Sequence, residues 1–490
     1  MNYRFLFRIL SYVLSIEAAL LLIPTLVSAI YKEPLYPFLI TIGILLLIAL
    51  PIMLILKPKN ERLYAKEGFV CVGLSWILMS VFGALPFVIG GSIPNFIDAF
   101  FEVVSGFTTT GASILTAVEG LPMGILFWRS FTHWIGGMGV LVFVLALIPS
   151  ESGNTIHLMR AEVPGPQKGK LVPKMRKTAI ILYGIYIGLS VIMTTALLCT
   201  GMPLYDSLVN TFATAGTGGF SVKNASIAAY NNPAAEWVIA SFMLIFGINF
   251  NLYFFILIKK LRPIAKNEEL RVYLLLTVIF TTLIAVNIWN SACSTFSSVE
   301  ECIRASFFQV TSIMSTSGYS TVDFNLWPEF SKSILLLLMF TGACAGSTAG
   351  GLKLSRIIII FKTIRLRIKK MLKPNTVIPL KLDGNSIPQE TGRNAINYLS
   401  IYVVILILTT FVISINGFDL VTNLTATVSC FNNVGPGFGD VIGPMGNYSS
   451  FSPFSKLVLS FAMLFGRLEI FPMIIMFSPS SWKSHRKNEG

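Results

Sequence analysis

Four short segments place an aromatic residue or Met four positions ahead of a glycine. They are Phe107-Thr-Thr-Thr-Gly111, Phe212-Ala-Thr-Ala-Gly216, Met314-Ser-Thr-Ser-Gly318 and Phe431-Asn-Asn-Val-Gly435. Each interrupts apolar sequence with small and hydroxylated residues, the types that expose backbone rather than cover it. The chemistry this suits is coordination of a dehydrated monovalent cation. Such an ion needs several oxygens in place of its water, and carbonyls supply them without a counter-charge that would trap it. Aiming successive carbonyls at one axis requires a residue free to take positive φ, hence glycine. The candidate ligand dipeptides are Thr110-Gly111, Ala215-Gly216, Ser317-Gly318 and Val434-Gly435. One such glycine would be an ordinary turn; four at the same offset form a pattern.

The elements that must position these loops can be read from the flanking sequence. Every loop follows a short amphipathic stretch (Pro94–Phe107, Pro203–Phe212, Val299–Met314 and Phe418–Phe431) and precedes another long apolar run. This is the layout of a re-entrant segment: a spanning helix, a half-helix, an extended loop and a helix back. Backbone of this kind at membrane depth is tolerated only inside protein or along a watery cavity. Composition supports the setting, with 54% apolar and 12% charged residues and a mean hydropathy of +0.73. Several apolar runs, among them Phe38–Leu56, Phe69–Gly90 and Ile396–Ile415, approach the ~20 residues needed to cross a bilayer core. The first run, from about Phe5, lacks a cleavage pattern and reads as a retained helix. The expected fold is therefore an all-α polytopic membrane protein. Residues 1–65 form a helical pair and four helix–pore-loop–helix repeats follow at 66–165, 166–270, 271–375 and 376–490. This arrangement predicts ten spanning helices.

Charge gives the fold a direction. The net +14 is concentrated in Lys57–Lys66, Arg160–Lys177, Lys259–Arg271, Lys353–Lys373 and Lys483–Lys487, with Arg4 and Arg8. In this threading all fall on one face, which the positive-inside rule makes cytoplasmic, together with both termini. A net charge of this size could suggest nucleic acid or anionic lipid, but its distribution along the threading points to membrane orientation instead. The opposite face holds Asp98, Glu102, Glu119, Asp206, Glu236, Glu300, Glu301, Asp323, Glu329, Asp419 and Asp440. Singly these read as solvated or capping acids; together they predict an acidic mouth that concentrates cations.

Two further features interrupt the apolar runs. Gly342-Ala-Cys-Ala-Gly346-Ser-Thr-Ala-Gly350-Gly351, followed by Lys353, opposes a continuous helix, because each glycine costs roughly 1 kcal/mol against Ala. The alternative reading is a small-residue packing face. It is not a phosphate loop, since no Gly-Lys-Ser/Thr ends it, and Gly216-Thr-Gly-Gly219 completes no dinucleotide fingerprint. Arg467 lies inside the last spanning segment, where a charge marks either a functional position or a salt bridge to another helix. Its neighbour Glu469 faces another way on a helix. Lys353 alone reads as a snorkelling or lipid-facing lysine. His133, His157 and His485 have no metal-ligand spacing, and the six cysteines are scattered. Cys293 and Cys302 fall in one outer loop and leave a disulfide open. Nothing indicates an enzyme or a cofactor.

The four loops, Thr217-Gly-Gly-Phe-Ser221 and Phe431-Asn-Asn-Val-Gly435 resemble the Trk/Ktr/HKT superfamily of potassium transporters over nearly the whole chain. The additional N-terminal pair is most similar to the TrkH branch. The resemblance implies a filter with one glycine per repeat. Glycine at all four positions implies K⁺ as the transported ion, since sodium-favouring members carry Ser at the first. It implies that the Gly342–Gly351 segment is an intramembrane gating loop, that Arg467 faces the pore below the filter, and that Lys353 lies near the cytoplasmic exit. It further implies a homodimer in a bacterial inner membrane, controlled by a TrkA-like, nucleotide-binding RCK subunit on the cytoplasmic side. Two alternatives stay open: a KtrB-like, sodium-dependent or less selective transporter, and an alternating-access carrier coupled through Glu17 or Glu469.

Overall fold

The computed structural model describes residues 1–56, 65–139, 175–291, 296–375 and 378–482. Among the described residues the regular structure is helical, apart from an antiparallel hairpin pairing Leu380–Leu382 with Asn385–Ile387. The expected all-α membrane fold is observed. Large apolar side chains face outward, with Leu47 and Phe411 each 76% exposed, a surface that is stable against lipid rather than water. The basic segments at Lys57–Lys66, Arg160–Lys177 and Lys483–Lys487 fall largely outside the described residues, as does Cys293. Cys302 is a buried free thiol that donates to Ala285 O.

Among the described residues, six helices are long and apolar enough to cross a membrane. They are Tyr3–Ile30, Tyr36–Ile55, Lys66–Ile89, Lys177–Cys199, Glu268–Trp289 and Gln389–Asn416, and a bent pair makes a seventh. The count covers the described residues, and among them the closing helices of the second, third and fourth units are broken. The first, Met123–Gly137, stops at a cluster of three glycines. The second bends by 91° between Pro233–Phe246 and Phe250–Leu257, where Asn249 caps the new turn through Asn251 N. The third is split into Glu329–Thr341 and Leu354–Leu372 by the glycine-rich run, and the fourth into Pro453–Arg467 and Phe471–Phe477. Glycine content pointed only to the third interruption. The fourth is made by Glu469 and Ile470 at φ of 59° and 61°, a conformation that a β-branched residue holds only when its surroundings impose it.

The half-helices are Phe96–Phe107, Leu204–Gly216, Val299–Met314 and Leu420–Asn432. Three begin on side-chain caps: Asn95 accepts from Ile97 N, Ser298 from Glu301 N and Asp419 from Thr422 N. Acids follow in the first turn of the first three, as the helix dipole favours. The opposite ends of all four are buried and carry the partial negative charge of a helix C-terminus.

Candidate functional site: a four-strand carbonyl ring and the loop beneath it

The four half-helices end identically, and this shared ending sets the register of the strand beyond each. Thr110 N donates to Ser105 O (2.8 Å), Gly218 N to Ala213 O (2.8 Å), Ser317 N to Ser312 O (2.8 Å) and Val434 N to Ser429 O (2.9 Å). The preceding residue is left-handed each time: Thr109, Thr217, Thr316 and Asn433, with φ between 56° and 59°. The glycine after each donor is also at positive φ: Gly111 80°, Gly219 75°, Gly318 76° and Gly435 103°.

Three expected dipeptides, Thr110-Gly111, Ser317-Gly318 and Val434-Gly435, occupy this register. The second does not. Ala215 and Gly216 are the last residues of their half-helix, and Gly216 is pressed against His133, whose carbonyl oxygen would lie 2.2 Å from an added Cβ. The equivalent dipeptide is Gly218-Gly219. The aromatic-to-glycine rule failed here because Ala215 stands where the other units have Phe107, Met314 and Phe431. The rule therefore selected Phe212, almost one helical turn too early.

Close packing of the four glycines closes a ring. A Cβ on Gly111 would lie 1.9 Å from Gly218 O, and one on Gly219 1.9 Å from Ser317 O. On Gly318 it would lie 2.1 Å from Val434 O, and on Gly435 2.7 Å from Thr110 O. The order runs first to second to third to fourth and back to first. No side chain fits at any of these positions, so backbone lines the opening. Above it, a cavity of about 160 Å³ is bordered by all four glycines.

The residues lining this cavity include Arg129 and Lys223 and no Asp or Glu. The expected acidic mouth is corrected accordingly. Asp98 pairs with Lys456 (2.7 Å), Glu102 with Arg129 (2.7 Å), and Glu236 and Glu300 with Arg304 (2.8 and 2.5 Å). Glu329 pairs with Lys332 at 2.5 Å. Asp419 caps its helix, and the hydroxyl of Thr422 holds its carboxyl below the usual range. These acids mainly cap helices and pair with bases, while backbone carbonyls and helix C-termini meet at the ring.

The glycine-rich run packs directly against the ring strands. Gly342, Gly346 and Gly351 have φ of 64°, 73° and 74°, and Lys353 has 66°. Gly350 N donates to Thr316 Oγ1 at 2.8 Å, and a Cβ on Gly350 would lie 2.4 Å from Asn432 O. On its other side the run joins the second unit's break, through Cys344 N to Gly247 O (3.1 Å) and Phe250 N to Gly346 O (2.9 Å). Lys353 is buried and its ammonium donates to Ala349 O, so it braces the loop and does not snorkel. Arg467 donates to Thr348 O (2.5 Å) in the run and to Gly136 O and Gly137 O (2.6 and 2.8 Å) at the end of the first closing helix. Glu469 pairs with Arg356 at 2.8 Å, and Glu17 is buried in the N-terminal pair beside Gly83. The structure thus brings Gly342, Gly346, Gly350, Gly351, Lys353 and Arg467 together.

Sequence reasoning missed Glu269, whose Oε1 accepts Ala345 N (2.7 Å) and Ser355 N (2.8 Å) and so holds both ends of the run. In sequence it is the second of two acids at a helix start, indistinguishable from a capping residue. No group of His, Cys, Asp or Glu among the described residues forms a metal cluster.

The sequence model of the TrkH family, described as cation transport protein, matches residues 38–485. The chain belongs to the TrkH family. The Trk system potassium uptake protein TrkH of Salmonella typhimurium is 35% identical over 99% of this chain and all of its own length, and that of Escherichia coli K12 is equally similar. The TrkH of Halomonas elongata is 32% identical over the same shares. The crystal structure of the potassium transporter TrkH from Vibrio parahaemolyticus superposes with a TM-score of 0.88 at 30% identity, covering 99% of this chain and 100% of that one. The relatives are named as transporters, not enzymes, and the TrkH fold extends over the whole chain.

Proposed function

We propose that this TrkH-family chain takes up potassium by passing K⁺ through the carbonyl ring. Potassium uptake is what its Trk relatives are named for. The observation that carries the finer reading is the closed cycle in which each of Gly111, Gly219, Gly318 and Gly435 abuts a carbonyl of a neighbouring strand. Thr110, Gly218, Ser317 and Val434 supply those carbonyls, and the units at 66–165, 166–270, 271–375 and 376–490 supply one strand each.

The run from Gly342 to Lys353 is the gate, with Arg467 as its latch. Three donated hydrogen bonds fix the guanidinium between the run and the first unit, and a fixed positive charge beneath a cation filter opposes passage until it moves. Control comes from a cytoplasmic, nucleotide-binding RCK-type subunit acting on a homodimer in the inner membrane, with both termini cytoplasmic. Ions move downhill. The interrupted closing helices are the one feature that favours the carrier alternative, since carriers bind substrate at broken helices. Their recurrence in the second, third and fourth units, in one orientation, favours a pore.

The test is ⁸⁶Rb⁺ uptake by purified protein in liposomes, with K⁺ and Na⁺ competitors and with or without a proton gradient. Gly219→Ser should lower K⁺ preference over Na⁺ by about tenfold or more, the effect of roughly 1.4 kcal/mol in differential binding. Unchanged preference would sink the ring assignment, and uptake that requires the proton gradient would favour the carrier.

A further inference from the structure

Eight residues before each residue that supplies a ring carbonyl lies one position of the half-helix: Glu102, Asn210, Gln309 and Ala426. Immediately after each ring glycine lie Ala112, Phe220, Tyr319 and Pro436. Between the second and third units these two positions meet directly. The Tyr319 hydroxyl lies 3.3 Å from both Asn210 O and Asn210 Oδ1, and 3.2 Å from Phe220 O. It therefore ties the outgoing strand of one unit to the half-helix of the unit before.

Between the first and second units the outgoing residue is Phe220, which has no hydroxyl. Arg129 occupies the gap. Its guanidinium carbon lies 3.5 Å from the Phe220 ring centroid, and Nη1 donates to Ser221 O at 3.0 Å. Nε donates to Glu102 Oε1 at 2.7 Å. Glu102 in turn accepts Ser113 Oγ (2.9 Å) and Ile114 N (2.8 Å), on the first unit's own outgoing strand. Glu102 is 1% exposed and Arg129 4%, and Arg129 borders the cavity above the ring.

We infer that the Glu102–Arg129 pair is a specificity-determining clamp, which does for the seam between units one and two what the Tyr319 hydroxyl does between units two and three. It sets the spacing of the strands carrying Gly111 and Gly219. Because a carboxylate neutralises the guanidinium, the clamp adds no net charge beside the cation path. The planar fork and flat face of Arg are both used, so lysine cannot replace it. This inference rests on the proposed filter.

The test measures the ratio of K⁺ to Na⁺ inhibition of ⁸⁶Rb⁺ uptake by the full chain in liposomes, a quantity independent of protein yield. Arg129→Met and Arg129→Lys should each lower that ratio, the first by at least about tenfold, or one decade of differential affinity. Glu102→Gln leaves the cation unneutralised and should depress uptake of both ions. The decisive variant transplants the other seam: Glu102→Asn, Arg129→Met and Phe220→Tyr together should restore the ratio to within about threefold of the parent. A parental ratio in Arg129→Met or Arg129→Lys overturns the clamp, as does a transplant that folds without recovering selectivity. If Arg129→Met cannot be purified, the lysine variant and the transplant decide. Gly219→Ser, measured in parallel, separates the two readings. Sensitivity there with insensitivity at Arg129 removes the clamp alone, whereas insensitivity at Gly219 removes the filter beneath it.

Discussion

In the proposed gate, Arg467 and Thr316 are single side chains that tie the glycine-rich run to its surroundings. Arg467 bonds three carbonyls on two other units, and each charge-assisted bond contributes about 1.5–3 kcal/mol. Arg467→Ala is expected to raise regulator-independent Rb⁺ flux by about tenfold or more; unchanged flux would remove the latch. The Thr316 hydroxyl accepts Gly350 N and so links gate to ring. Thr316→Val should loosen that link by about 1 kcal/mol, a several-fold rise in basal flux, while Thr316→Ser keeps the oxygen and should behave like the parent. Equal behaviour of the two variants would show that the hydroxyl has no such role. The candidates Gly111, Gly318, Gly435 and Arg467 were legible because a glycine in a polar break and a charge in an apolar run are local anomalies. Gly219, Glu269, Glu102 and Arg129 were not legible. Their neighbours in sequence give them ordinary readings, and their partners lie on other elements.

At the scale of elements, the closing helices of the first and fourth units bring backbone close to their own half-helices. A Cβ on Gly136 would lie 1.8 Å from Phe107 O and one on Gly466 1.9 Å from Phe431 O, so both contacts require glycine. Because the obstacle is backbone, Gly466→Ala should destabilise the protein by about 1–3 kcal/mol through overpacking. A lower midpoint of thermal unfolding in detergent would register it, and a parental midpoint would show that the contact can relax. The glycine-rich run, the proposed gate, is mostly buried. It is held by Glu269 and by bonds to three units, and it is rich in positive-φ residues. Deleting residues 346–350 should raise flux in the absence of a regulator, and a deletion that leaves flux at the parental level would deny the run a gating role.

For the whole molecule, the ring is a property that no unit has alone. Each strand places one glycine against a neighbour's carbonyl, and only four in cyclic order close the opening. The proposed control is distributed less evenly: the run comes from the third unit, Arg467 from the fourth, and the second anchor of Arg467 from the first. The sequence by itself determined the all-α membrane fold, the four loops and three of their four ring positions. Apolar run length and the need for positive φ are requirements of a short stretch of chain, and they leave a local mark. Only the tertiary structure decided that the second loop is read at Gly218-Gly219, that the closing helices of the second, third and fourth units are broken, and that outer acids serve caps and ion pairs. Other contacts that shape the site join residues a hundred or more positions apart, such as Asp98 with Lys456, Arg467 with Gly136 or Tyr319 with Asn210. Such pairings impose no periodicity on a single chain, so packing alone reveals them.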